Sequence, residues 1–331
     1  MASDFNFRVY RRKPYLTAHS HKKYPGVEFV DLPSTRLKGV EALVHTFLCV
    51  MHLLFNRVDA VNVHNIGPGM FIPLLRLMGY PVVLTYHSPN YEHDKWGTVS
   101  KAILRLSEKL SLGFASHTIF VSPFQQAKYS ERVQQRSSVV PNGINRLEPT
   151  KSIDFLTHHG VEPGGYILSV GRITPEKGFS YLIEAVQELD SVKQLVIAGS
   201  SDHNPNAISK LKELDRKGKV VFTGYTSGTD LTQLYANAAA YVLPSLAEGF
   251  PMVLLEAMSF GLPIAASDIP AAHIIELPNS HYAPPGDAPS LARAIEAALS
   301  GPARHSYPLD RYNWDHIAHR TVKIYRSLLK N

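Results

Sequence analysis

A chain of 331 residues is longer than one hydrophobic core usually supports, so two domains are expected. With 44% hydrophobic and 19% charged residues it reads as an ordered globular protein and not a disordered one. The single cysteine, Cys49, excludes an internal disulfide and fits a reducing, cytoplasmic compartment. The net charge of +6 is unevenly placed: residues 1–150 hold 18 Lys+Arg and 10 Asp+Glu (+8), residues 151–331 hold 16 and 18 (−2).

The opening "MASDFNFRVYRRKPY" has no apolar run or small-residue cleavage site, so no secretory signal is read. Its "RRK" (11–13), "HSHKK" (19–23) and Arg36/Lys38 suit either a solvated basic face or an anionic partner, such as the inner membrane face or a phosphate-bearing acceptor. Nucleic acid is disfavoured, because no stacking or groove-reading motif accompanies them. "LVHTFLCVMHLLF" (43–55) carries two histidines and is shorter than the roughly 20 residues that span a bilayer, so it reads as a packed helix, with a membrane-surface element as the alternative.

Short β-branched runs at 27–33, 59–65, 81–87, 117–122 and 137–143 alternate with amphipathic stretches near 38–56, 68–78, 98–114 and 123–132. Such alternation predicts a parallel sheet covered on both faces. "VHNIGPG" (63–69) ends one strand with His64, Asn65 and Gly67, and "TYHSPN" (85–90) ends its neighbour with His87 and Ser88. Two histidines at successive strand ends suit substrate contact or a structural role alike. They do not form a zinc pattern, and no Asp-x-Asp offers a seat for a divalent metal.

Periodicity breaks at "PNGINRLEPTKS" (141–152). Beyond it, runs at 166–173, 193–200, 219–225, 238–245, 262–268 and 281–285 alternate with helical stretches near 177–189, 206–216, 229–237, 251–259, 271–276 and 287–299. Two Rossmann-like, doubly wound α/β domains facing across a cleft are therefore expected, with ligands outside the carboxyl ends of the strands. "VGRITPEKG" (170–178) places Arg172 and Lys177 at such an edge, where they could neutralise a diphosphate, with a surface ion-pair role as the alternative. It is neither a P-loop nor a dinucleotide fingerprint.

"AEGFPMVLLEAMSFG" (247–261) holds Glu248 in a loop and Glu256 in the second turn of the helix that follows, with Pro251 suited to its first turn. The N–H groups of Gly249, Phe250, Met252 and Val253 remain available to oxygen-rich ligands, whereas Pro251 has none. Two carboxylates repel phosphate but accept hydrogen bonds from sugar hydroxyls, so the loop suits a polyol beside a phosphate. The alternative is a loop acid and a solvent-facing helix acid with no ligand.

Taken together, "VGRITPEKG", "VVFTGY", "AEGFPMVLLEAMSFGLPIAASD" and the closing "YNWDHIAHRTVKIY" resemble the retaining GT-B glycosyltransferases of the large family four, over nearly all of residues 59–327. The resemblance implies an N-terminal acceptor-side domain (1–148), a nucleotide-sugar domain (149–310) and a C-terminal helix (311–331) crossing back around Trp314. It implies that Arg172 and Lys177 hold the donor diphosphate, that Glu256 binds the ribose, and that Glu248 with the backbone of 249–253 holds the sugar. His87 would lie beside the reacting sugar, and Thr223 to Tyr225 would line the base pocket. The expected reaction is metal-independent transfer from a nucleotide sugar, a UDP-sugar being the favoured donor, to a glycan or lipid-linked acceptor hydroxyl.

The family pattern also has a first strand and a glycine-rich loop ahead of "FRVYRRKPY", and neither is read here. A partner polypeptide completing that domain is one expectation from this, and a non-catalytic nucleotide-sugar-binding subunit is the alternative function. A GT-B sugar-nucleotide epimerase is a more distant one.

Overall fold

The computed structural model describes residues 5–16, 24–37, 40–89, 91, 97–145, 150–201 and 206–330. Of the basic residues read above, 19–23 and Lys38 lie outside these, as do residue 90 and residues 146–149 of the break. The chain divides into two compact units, residues 1–141 with 315–331, and residues 142–314.

In the first unit β1 (Phe7–Arg12) pairs in parallel with β2 (Val27–Leu32). A separate parallel sheet runs in the order β3 (Val61–His64), β4 (Val82–Tyr86), β5 (His117–Phe120) and β6 (Ser137–Val139). Strand β4 is buried along its whole length, as its unbroken apolar run requires of a central parallel strand. Strand β1 was not read from the sequence, because three arginines obscure its alternation. The structure neutralises two of them across the pair: Arg8 Nε donates to Glu28 Oε2 at 2.8 Å, and Arg11 grips both Asp31 oxygens at 2.6 and 2.9 Å.

The greasy stretch at 43–55 forms most of a helix, Glu41–Phe55, that packs on one face only. Val50 and Leu53 are buried, whereas Val44, Phe47, Met51 and Leu54 form an exposed stripe and Phe55 is 85% exposed. Among the described residues no helix is long and apolar enough to cross a membrane. The closing helix, Trp314–Leu329, lays Ile317 and Ile324 on Val83, Ile119 and Val140.

The second unit is one parallel sheet in the order β12-β11-β10-β7-β8-β9. Its strands are β7 (Tyr166–Val170), β8 (Gln194–Ala198), β9 (Val220–Gly224), β10 (Ala240–Leu243), β11 (Ile264–Ser267) and β12 (Tyr282–Ala283). Side chains alternate between two cores, with Tyr166 and Leu168 in one and Ile167 in the other. From β7 the chain winds outward through β8 and β9, then returns to β7's other side with β10. The order therefore reverses between β7 and β10, the crevice where doubly wound sheets bind ligands.

Candidate functional site

The loops leaving β7 and β10 meet at that crevice. Gly178 has φ +67°, and a Cβ there would lie 2.0 Å from the carbonyl oxygen of Pro244. Only glycine therefore lets the two loops touch. Leu246 N–H donates to the Glu176 carbonyl at 2.8 Å and fastens them. The result is an ion pair, Lys177 Nζ to Glu248 Oε1 at 2.6 Å, with the side chains 17% and 9% exposed. Ser245 Oγ donates to the same carboxylate oxygen at 2.7 Å. Arg172 stands exposed on the first loop, with no carboxylate partner among the described residues.

Pro251 is the cap residue rather than part of the first turn, and the helix runs Met252–Ser259. The N–H groups of Met252 and Val253 thus open the helix, beside the loop of Glu248. Glu256 is half-buried, and the buried Tyr235 donates to its Oε2 at 2.8 Å. Desolvation raises the Glu256 pKa, and the Tyr235 hydrogen bond opposes that shift. Thr223 lies in β9 and shares a 3.0 Å hydroxyl contact with Thr226, while Tyr225 is 79% exposed.

In the first unit, β3 and β4 end side by side. His64 Nδ1 and His87 Nε2 are 3.1 Å apart, with the rings stacked. Thr85 Oγ1 donates to Asn62 Oδ1, which leaves the Asn62 amide to donate toward His64 Nε2 at 3.3 Å. His64 therefore donates from Nδ1 to His87, whose own proton sits on Nδ1. Burial first, then the neighbouring His64, lower the His87 pKa to about 4, so the ring is neutral near pH 7. Asn65, at φ 70°, accepts from Ile66 N–H at 2.9 Å and starts the short helix that holds Gly67. Ser88 follows His87 at the end of β4.

Sequence reasoning missed the partners: Ser245, Tyr235, Asn62, and the cluster beneath His87, where Tyr86 and Tyr129 donate to Glu108 Oε1 at 2.6 and 2.8 Å. The hydroxyls were unreadable because nothing local marks them. Only strand pairing assembles them. The structure brings Lys177 to Glu248 and His64 to His87, and within the second unit it sets Glu256 against Tyr235 instead of against Glu248.

Two parallel α/β units, the second doubly wound with charged loops at its switch point, define a nucleotide-binding class of protein. The chain belongs to the glycosyltransferases: residues 158–312 match the glycosyl transferases group 1 model, and residues 8–146 match the glycosyltransferase family 4 model. An uncharacterized glycosyltransferase of Methanocaldococcus jannaschii is 33% identical over 60% of this chain and 55% of its own length. The O-antigen chain mannosyltransferase RfbU of Salmonella typhimurium is 29% identical over 86% of this chain and 78% of its own. Sucrose-phosphate synthase from Thermosynechococcus elongatus superposes with a TM-score of 0.82 at 21% identity, covering 99% of this chain and 90% of that one. Anabaena HepE in complex with UDP gives 0.70 at 20% identity, covering 91% and 86%. The fold is thus GT-B.

Proposed function

We propose that this protein transfers a sugar, with retention, from a nucleotide diphosphate sugar to an acceptor hydroxyl in the synthesis of a glycan, polysaccharide or glycolipid. The observation that carries the reading is the Lys177–Glu248 pair at 2.6 Å, locked at the switch point with Arg172 beside it and a helix start behind it. A cation, a carboxylate and free N–H groups in one crevice match a diphosphate joined to a polyol.

In this reading Arg172 and Lys177 neutralise the diphosphate as charge builds on it in the transition state, and the N–H groups of Met252 and Val253 add to that stabilisation. These groups supply the positive charge that a metal ion would otherwise bring. Glu248 and the backbone of residues 249–253 accept and donate to the sugar hydroxyls, and Glu256 accepts from the ribose. Thr223 and Tyr225 take the base side. A UDP-sugar is the favoured donor, in keeping with the HepE complex. The bond from the anomeric carbon to the diphosphate breaks while the acceptor oxygen bonds the same face, and the acceptor proton passes to the departing phosphate. His87, neutral and protonated on Nδ1, donates to the sugar. His64, Asn65, Gly67 and Ser88 are assigned to the acceptor side.

The test is a thermal-shift panel of UDP-, GDP- and ADP-sugars, followed by transfer and hydrolysis assays on the best binder. Arg172→Ala should lower kcat/KM by about a hundredfold. Undiminished transfer would sink the assignment. Binding without any turnover would favour the non-catalytic reading instead.

Peripheral attachment to an anionic membrane is proposed for the first unit, supported by its positive charge and the exposed stripe on Glu41–Phe55.

A further inference from the structure

One carboxylate in the first unit gathers three phenol hydroxyls, and two of those tyrosines flank His87. Glu108 lies on the helix Thr98–Phe114. Its Oε1 accepts from Tyr86 at 2.6 Å and from Tyr129 at 2.8 Å, and its Oε2 accepts from Tyr91 at 3.1 Å. In "YHSPNY" (86–91) a tyrosine stands at each end, with His87 and Ser88 between them. A single side chain therefore holds the strand end before the histidine and the chain after it. The Tyr86 ring is fully buried and packs on Phe120 and Tyr129, with centroids 5.2 and 5.8 Å away. Burial first, then the hydrogen bond to Glu108, keeps the Tyr86 hydroxyl protonated far above its ordinary range, so it remains a donor.

We propose that Glu108 is a positioning residue for sugar transfer, which fixes the His87 ring against His64 by clamping both ends of the segment 86–91. Side chains alternate across a strand, so Thr85 and His87 share the face of Asn62 and His64, and Tyr86 takes the opposite one. Gripping Tyr86 from the helix side sets the pleat that aims His87 at His64. Gln125 Nε2 donates to the His87 carbonyl at 2.8 Å and fixes the backbone between the two clamped ends. The Arg105 guanidinium lies over the Tyr91 ring, 5.4 Å from its centroid, so the same helix orders the far end twice.

The neighbouring loop rests on the same helical turn. Ser107 and Ser111 are completely buried, at positions an amphipathic helix would otherwise fill with apolar side chains. Ser107 Oγ donates to the Ile66 carbonyl, and Ser111 Oγ donates back to the Ser107 carbonyl. A Cβ on Gly69 would come within 2.1 Å of Ser111 Oγ, so a glycine is needed where the short helix after Asn65 meets this turn. Residues 107–111 thus support both strand ends, Ser107 the one after β3 and Glu108 the one after β4.

The consequence for transfer rests on the proposed function, whereas the fixing of the His87 ring does not. The test uses the full chain with Glu108→Gln and Tyr91→Phe. Tyr91→Phe removes one hydroxyl and should shift the unfolding temperature by less than about 3 °C. Imidazole nitrogen-15 shifts read the tautomer: the wild-type His87 proton should sit on Nδ1, and in both variants it should be shared between Nδ1 and Nε2. UDP affinity by titration calorimetry should stay within about twofold, because the donor loops belong to the second unit, while kcat falls about tenfold in Tyr91→Phe and about a hundredfold in Glu108→Gln.

A His87 proton that stays on Nδ1 alone in both variants overturns the proposal, whatever the rates. Unchanged kcat in both variants overturns it too, as does a loss of rate matched by equal losses of UDP affinity and unfolding temperature, which a cluster serving stability alone would give. If Glu108→Gln does not fold, Tyr91→Phe decides. A shared proton in the variants with no sugar transfer by the wild-type chain supports the clamp and counts against the proposed activity.

Discussion

Lys177 and Glu248 are 71 positions apart in sequence, yet each largely shields the other from water. Breaking such a pair strands one charge, so Lys177→Met should cost about 3 kcal/mol in urea unfolding, and adding Glu248→Met should recover most of it. Glu256 is half-buried, and its conversion to Gln should keep the Tyr235 hydrogen bond while weakening nucleotide-sugar affinity about tenfold, measured by titration calorimetry.

His87 makes stability depend on pH. Its folded pKa, about 4, lies below the ordinary 6.5. The unfolded chain therefore binds the extra proton first, and stability present above pH 6.5 is lost as pH falls toward 4. His64 shifts in the same direction through burial, while Glu256, with its raised pKa, opposes them. A loss of about 2 kcal/mol over that window is expected, and His87→Gln should flatten it. An unchanged slope in the variant would remove His87 as its source.

At the scale of elements, the loop after β7 is set by Gly178 rather than by its charged residues. Gly178→Ala must both strain φ at +67° and displace the Pro244 carbonyl, so it should destabilise the protein by about 2–4 kcal/mol and weaken donor binding together. The strands of the second unit were legible because parallel strands buried on both faces read as unbroken β-branched runs. Strand β1 was illegible for the opposite reason: Arg8 and Arg11 are neutralised by Glu28 and Asp31 on a strand 20 positions away. The helix Glu41–Phe55 was legible as a helix, but its exposed stripe was not, since hydrophobicity does not reveal what covers it.

For the whole molecule, charge is divided between the units, +11 in the first and −5 in the second, which sum to the +6 of the chain. Co-flotation with anionic vesicles should exceed that with neutral ones, fall with added salt, and drop further in Leu54→Glu. Equal flotation with both vesicle types would end the membrane proposal.

The sequence by itself determined the alternation of strands and helices and the charged loops after β7 and β10, because those follow from local periodicity and turn chemistry. Tertiary structure alone decided the pairings: Lys177 with Glu248, Glu256 with Tyr235, and the tautomer order through Asn62, His64 and His87. Such features depend on which strands lie side by side, and that order is fixed by packing across the sheet, not by neighbours in the chain.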